Sequence, residues 1–428
     1  MSKPRLLSKA TLANTFGNTL EWYDFALYGG LAPYIAIHFF PSKNFFISLI
    51  LTFGAFAAGF LMRPLGGLLY GMFGDIRGRR HALIISVIMM ALPTFLLGLI
   101  PSYQHIGIAA PVLVVLIRLF QGLSVGGELT GTMAYLTEST EERRRGFLAS
   151  FSMFGVFAGI LIGPIIILIV SYLIGQQTFA VWGWRIPFLF SAVLCLIIFN
   201  ITKTLTETPA FLAEKSDSKN YLTPLIECFK EHKINMLKGF GISIQVGIAF
   251  WITMVYMITY YTKILHLPFD ATFEINLVGI CIALVTVPIA GKLSEYIGLK
   301  PILFVSLIAF IILSIPFNAA IIHPLTPIKH VAILHFIFSI FVGSYLAALP
   351  GELASMFPTR VRFTGVALSY NVALALFGGT APLVVTYLIK TTHTLLAPGV
   401  VITSGAVLSL IALLTIRKKD KEQTKILP

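Results

Sequence analysis

The 428-residue sequence predicts an all-α integral membrane protein in which twelve transmembrane helices form two six-helix bundles. Three observations lead there. Hydrophobic residues make up 57% of the chain, charged residues only 11%, and mean hydropathy is +0.88, whereas a soluble domain carries about 25% charged residues. Apolar runs long enough to cross a hydrocarbon core of about 30 Å as helices recur along the chain. Similar punctuation between the runs returns at about half the chain length.

The runs cover approximately residues 14–40, 45–72, 82–101, 108–137, 146–174, 183–204, 236–263, 270–294, 301–319, 330–356, 361–389 and 396–416. Helix 1 follows Lys3, Arg5 and Lys9 as a signal peptide would, but it is too long, holds Glu21 and Asp24, and lacks a small-x-small cleavage site; it reads as a retained helix. Helices 2 and 3 flank GMFGDIRGRR, and helices 4 and 5 flank the arginines around Arg143. The longest polar interval, TLTETPAFLAEKSDSKNYLTPLIECFKEHK, separates helix 6 from helix 7. It divides the chain into an N-terminal bundle at 1–204, a linker at 205–235, and a C-terminal bundle with a short tail at 236–428. Helices 8 and 9 flank GKLSEYIGLK, Arg362 and Gly365 follow helix 10, and a basic tail follows helix 12.

The net charge of +13 invites a nucleic-acid reading, and its distribution removes it. On the side of the N-terminus lie 24 of the 31 Lys and Arg residues. Lys43, Arg185, Lys263, Lys329 and Lys390 lie on the other side, and Arg63 and Arg118 fall inside helices. By the positive-inside rule both termini and the loop near Ser216 are expected in the cytoplasm. The bilayer is the partner this charge addresses. Cys195, Cys228 and Cys281 are scattered and imply neither disulfides nor a metal. The nine histidines form no ligand cluster in sequence, and His335 within helix 10 reads as a packing residue. No metal or cofactor is expected.

The internal repeat is specific. Gly71, Asp75 and Gly78 return as Gly291, Glu295 and Gly298, each offset by 220, while Arg143 and Gly146 return as Arg362 and Gly365, offset by 219. Duplicated six-helix units are the pattern of transporters whose halves rock about a central site. Glycines at helix ends permit tight reversal, and an acid among arginines can pair across helix ends or meet a helix N-terminus. Gly71, Asp75, Gly78, Arg79 and Arg80, with Glu295, Arg360 and Arg362 in the second half, are therefore latch candidates, against the simpler reading of solvated turns.

GMFGDIRGRR resembles the loop 2–3 signature of the major facilitator superfamily, and RLFQGLSVGGE (Arg118 to Glu128) resembles its helix 4 signature. EWYDF in helix 1, RPLGG at Arg63, WGWRIPF, ETPAF, and ELASMFPTRVRFTGVALSYNVALALFGGTAP are similar to its metabolite:proton symporter branch, which includes permeases for proline and betaine, α-ketoglutarate, citrate and shikimate. The resemblance spans the chain. It implies the major facilitator fold, a location in the bacterial inner membrane, a small-molecule substrate, protons as the driving partner, no other cofactor, and a monomeric functional unit. Two departures stand out. Glu295 and Leu299-Lys300 replace the usual Asp and basic pair, which implies a weaker second latch. The tail ends eleven residues past Arg417, without the long coiled-coil extension of osmosensing proline/betaine members, which puts osmotic gating in doubt.

Charges at mid-bilayer cost roughly 2.5–3.5 kcal/mol on insertion scales and usually mark a pathway. Glu21, Asp24, Arg63, Arg118 and Glu128 are such residues. Glu21, Asp24 and Tyr28 form one stripe on helix 1, and Gln121 and Glu128 share a face of helix 4 with Arg118 nearby. Asp24 with Arg118, and Arg63 with Glu128, are candidate pairs, either static or titrating. The resemblance places Asp24 and Arg118 at the superfamily's proton-coupling positions, with Glu21 and Glu128 as alternative carriers. In the second half Gln245, Trp251, Tyr256, Asn276, Tyr370 and Asn371 are substrate-contact candidates alongside Tyr28, Arg63 and Gln121. Aromatic faces hold ammonium groups, and an Arg takes a carboxylate. The reading is uptake of a small zwitterion such as proline or betaine by proton symport. A di- or tricarboxylate symporter is the alternative within the class. A membrane-embedded enzyme lacks a nucleophile with its base, and a non-transporting sensor lacks a signalling domain.

Overall fold

The computed structural model describes residues 9–140, 144–203, 205–213, 220–323 and 325–417. Arg143, Ser216 and the tail to Pro428, on which expectations above fall, lie outside the described residues. Among the described residues all regular structure is helical. The first six long helices are helix 1 Lys9–Phe39, helix 2 Phe45–Arg77, helix 3 Arg79–Leu99, helix 4 Ala109–Glu138, helix 5 Arg145–Ile174 and helix 6 Ile186–Thr202. The second six are helix 7 Lys233–Ile264, helix 8 Phe269–Ile297, helix 9 Leu299–Ile322, helix 10 Ile328–Ala354, helix 11 Thr359–Thr392 and helix 12 Ala397–Thr415. Short helices Pro209–Ala213 and Thr223–Glu231 lie between the two sets.

Helices 2 to 12 are long and apolar enough to cross a membrane by length and composition. Helix 1, with its acids and asparagines, falls short of that apolarity yet packs inside the first bundle. Several helices overrun the expected spans: helix 2 was expected to stop at 72 and continues to Arg77. Asp75 in its last turn is engaged by protein partners.

Backbone contact joins the helices of the first half. A Cβ at Gly122 would fall 1.9 Å from the Gly59 carbonyl oxygen, and one at Gly66 would fall 2.0 Å from that of Leu123, so helices 2 and 4 touch along their glycines. Gly155 and Gly159 of helix 5 meet the Thr15 and Thr19 carbonyls of helix 1 in the same way. The second half has such contacts as well, Gly343 of helix 10 against the Ala283 carbonyl of helix 8 and Gly399 of helix 12 against the Ser314 carbonyl of helix 9, and it adds wide turns. Helix 7 contains π-helical stretches at Trp251–Tyr256 and Tyr260–Ile264, and helix 11 has one at Leu374–Gly378.

The halves meet at the end that holds the turns between helices 2 and 3 and between helices 8 and 9. Those turns are Gly78, with φ 105°, and its repeat Gly298, with φ 86°, a backbone region that suits glycine. Gly71 lies against Thr364 of helix 11, where a Cβ would be 2.7 Å from the Thr364 Cα. Its repeat Gly291 lies against Phe147 and Ser150 of helix 5. Helices 2 and 11, and helices 5 and 8, thus cross between halves as a matched pair. Toward the opposite end Ala381–Thr392 packs on helices 7 and 12 of its own half.

Candidate functional site

Helix 1 delivers its acids in two layers. In the first, Asp24 accepts hydrogen bonds from Arg118 Nη1 at 2.6 Å, Thr94 Oγ1 at 2.9 Å and Gln121 Nε2 at 3.0 Å, with Arg118 Nη2 at 3.4 Å. All these side chains are buried. The Arg118 guanidinium lies 3.9 Å from the centroid of the Tyr28 ring, whose hydroxyl donates to the Thr52 carbonyl. The carboxylate is charge-compensated, and nearly all its acceptor capacity is filled.

One turn nearer the joined end, the second layer is unfinished. Neither oxygen of Glu21 and neither terminal nitrogen of Arg63 has a protein hydrogen-bond partner, although both residues are at most 1% exposed. Arg63 uses only its Nε, which donates to Asn371 Oδ1 at 3.4 Å. The expected pair of Arg63 with Glu128 does not form. Glu128 instead accepts from Ser86 Oγ and fits the notch at Gly17, which has no side chain to exclude it. Arg63 and Tyr370 lie within each other's electrostatic reach, and Arg63 likewise acts on Glu21. Asn371 also donates to the Gly126 carbonyl at 2.7 Å, so this substrate-contact candidate bolts helix 11 to helices 2 and 4.

Around this layer stands an aromatic cluster drawn from both halves. Trp22, Phe25, Phe60 and Trp251 form a closed circuit with successive ring centroids 5.4, 5.3, 5.3 and 6.4 Å apart. Phe250 packs on both tryptophans.

The joined end is a buried ionic latch. Asp75 accepts from the backbone N–H groups of Phe363 at 3.2 Å and Thr364 at 2.8 Å, at the first turn of the long segment of helix 11, and pairs with Arg79 at 3.0 Å. Arg79 makes a two-point contact with Glu138, both bonds 2.9 Å, and reaches the Thr359 carbonyl. Arg362 crosses from the second half to Glu138 at 3.0 Å, and Thr208 adds a bond at 2.7 Å. Glu207 accepts the backbone N–H groups of Arg79 and Arg80 at the start of helix 3. Arg80 itself turns to the Lys203 carbonyl and stays within its own half.

The linker helix Thr223–Glu231 braces this end. Arg360 pairs with Glu227 at 2.5 Å and Glu231 at 3.5 Å, and Arg77 donates to Tyr221 at 2.7 Å. Glu227, Glu231 and His232 bring ligand-type atoms within 4.8 Å of one another, but Arg360 already balances that charge. Burial, with Asp75 and Glu227 nearby, pushes the Cys228 thiol up, so it behaves as a packed apolar group.

Some candidates lie elsewhere. Gln245, buried, points at Gly405 of helix 12 rather than toward the first half. Helix periodicity gives its face relative to Tyr256 but not which neighbour that face meets. Tyr256 accepts from Thr386 Oγ1 at 3.1 Å within the second half. Asn276 of helix 8 is buried. His335 packs in the second bundle, its Nδ1 3.3 Å from the Tyr261 hydroxyl. Glu295 pairs with Lys292 on its own helix, so the second loop motif has no counterpart among the described residues to Asp75's capping of the opposite half. Glu138 and Trp22 escaped the sequence reading. Glu138 belongs to a run of acids and arginines that looks like a solvated loop, and Trp22 was hidden inside EWYDF; the acid before it and the acid two residues after it were its signal.

Residues 15–317 match the family described as Major Facilitator Superfamily. This chain belongs to that superfamily. Among curated relatives, a "Proline/betaine transporter" of Salmonella typhimurium is 33% identical over 429 residues, covering 98% of this chain and 85% of the relative. The "Glycine betaine/proline/ectoine/pipecolic acid transporter OusA" of Dickeya dadantii is 32% identical over the same shares. Among solved structures, the proton:xylose symporter XylE bound to 6-bromo-6-deoxy-D-glucose superposes with a TM-score of 0.78 at 17% identity, covering 95% of this chain and 94% of that one. This member of the superfamily is a multi-pass membrane transporter of a small molecule, not an enzyme.

Proposed function

We propose that the protein is a proton-coupled symporter of the bacterial inner membrane that takes up a small zwitterion of the proline or betaine type by alternating access. The observation that carries this is the contrast between two buried arginines. Arg118 is committed to Asp24, while Arg63 keeps both terminal nitrogens without a protein partner, so the site offers receptor charge for one carboxylate. The relatives' names agree with that class. The unit acts as a monomer and uses the proton gradient with no other cofactor.

With both termini cytoplasmic, as the charge bias directs, the latched end faces the cytoplasm and the described state is outward-facing. A proton arriving from outside adds to the Asp24 carboxylate and cancels the charge that Arg118 holds. Helix 1 is then loosened from helix 4, and the latch opens as the halves rock. Glu21, whose charge nothing within hydrogen-bond reach compensates, is the alternative carrier, and Glu128 the third.

The test is pH-gradient-driven accumulation in proteoliposomes, measured beside substrate exchange for Asp24→Asn, Glu21→Gln and Glu128→Gln. Asp24→Asn is expected to abolish net uphill uptake and retain exchange. Wild-type accumulation by Asp24→Asn with failure of either Glu variant moves the proton to that glutamate. Proton-driven citrate uptake with no response to betaine or proline overturns the substrate class.

A further inference from the structure

We infer that the four-ring circuit of Trp22, Phe25, Phe60 and Trp251, together with Arg63, is the ligand subsite, and that it selects a zwitterion whose N-alkylated ammonium lies one carbon from a single carboxylate. This rests on the symporter reading above and names its ligand chemistry.

Four geometric facts point there. The circuit is contributed by helices 1 and 2 of one half and helix 7 of the other, so a ligand on it touches both moving bodies. Phe25 and Trp251 are only half-buried, so the circuit is not sealed on every side. Arg63 stands one turn along helix 2 from Phe60, its guanidinium carbon 5.5 Å from that ring's centroid. Its two terminal nitrogens, and the indole N–H of Trp22, are buried donors with no protein acceptor.

Each aromatic face presents negative quadrupole charge and can hold a quaternary ammonium, which cannot donate hydrogen bonds. Arg63 holds a carboxylate through two parallel N–H groups. The gap between guanidinium and ring is short. In an α-ammonium acid the nitrogen lies about 2.5 Å from the carboxylate carbon, from standard N–Cα and Cα–C bonds. That spacing bridges the two receptors, whereas a second carboxylate several carbons away would be pressed against aromatic carbon.

The experiment compares glycine betaine with 3,3-dimethylbutyrate, the same shape and carboxylate with carbon in place of the charged nitrogen. Calorimetry on the purified full-length protein in lipid nanodiscs gives the affinity ratio. Wild type is expected to prefer betaine by about tenfold. Trp251→Leu and Phe25→Leu, at the two half-buried positions, should bring the ratio toward one while the isostere's affinity changes little. Trp251→Phe should keep most of the ratio. Arg63→Gln should weaken both ligands about equally. Thermal unfolding of each variant separates lost binding from lost folding, and Phe25→Leu and Trp251→Phe stand in for Trp251→Leu if that one fails to fold. An unchanged ratio in the leucine variants, or a wild-type ratio of one, overturns the subsite while leaving the symporter reading intact. Failure of wild type to bind betaine, its isostere or proline, with saturable citrate binding, overturns both.

Discussion

Asp75→Asn tests the latch at its most informative atom pair. The substitution nearly conserves shape but removes the charge, and an amide can accept from only one of the two N–H groups at Phe363 and Thr364 that Asp75 now receives. It also ends the 3.0 Å pairing with Arg79. Hydrogen bonds to charged groups are worth about 1.5–3 kcal/mol each. Arg79 keeps its two bonds to Glu138 and Arg362 keeps its own, so the loss is partial. A net shift of about 2 kcal/mol toward the unlatched state is expected, roughly thirtyfold in population. Spin labels at the exposed positions Lys203 and Tyr296, on either half of the latched end, report the separation by double electron–electron resonance once the three native cysteines are replaced. Asp75→Asn should transfer much of the short-distance population to a longer distance. Glu295→Gln should leave it in place, because Glu295 pairs with Lys292 on its own helix. Equal shifts from both variants, or none from Asp75→Asn, would refute the reasoning.

Gly122→Ala puts a methyl group where the Gly59 carbonyl stands, 1.9 Å away, so helices 2 and 4 must separate; overpacking of this kind costs about 1–3 kcal/mol, and thermal unfolding should show a lowered Tm. Arg118→Ala leaves Asp24 buried without its countercharge, a loss of about 3–5 kcal/mol for a broken buried pair, and should damage both exchange and accumulation, with a lowered Tm in the same preparation. Arg360→Ala removes an exposed arginine from Glu227 and Glu231 and should change Tm little, while Glu138→Ala, which strips both Arg79 and Arg362, should destabilise severely. Reporters fused at Ser216 and at Pro428 should both read cytoplasmic; a periplasmic signal at either would reverse the assignment of the two ends.

The helical spans and the repeat were legible because each rests on local chemistry. Apolar length makes a span, and glycine at Gly78 and Gly298 supplies the positive φ at which one helix stops and the next begins. Asp24 with Arg118 was legible as well, since few charges stand at mid-bilayer and these two share a depth. Rotational choices were not. Whether Arg63 meets Glu128, or Gln245 meets the other half, depends on how each helix is turned against its neighbours, and a periodic sequence gives faces without saying what they meet. Glu138 shows the same limit at a helix end. It is engaged by Arg79, Thr208 and Arg362, three residues distant in sequence, of which Arg362 arrives only when the halves close.

The π-helical stretches of helices 7 and 11 carry a consequence for how labour divides between the two bundles. Each wide turn holds an additional residue and loosens the i→i+4 ladder, giving a helix a place to flex without losing its ends. The stretch in helix 11 meets helix 7 just before its first wide turn, where Gly247 abuts Gly378 and the Trp251 indole lies beside Gly378. The first half, by contrast, has no such stretch among its described residues and holds the five mid-membrane charges. The buried charges thus sit on regular α-helices, while the wide turns belong to a partner nearly free of charge at that depth. Such a division lets the second bundle bend, and Trp251 shift with it, while the ion pairs of the first bundle keep their partners.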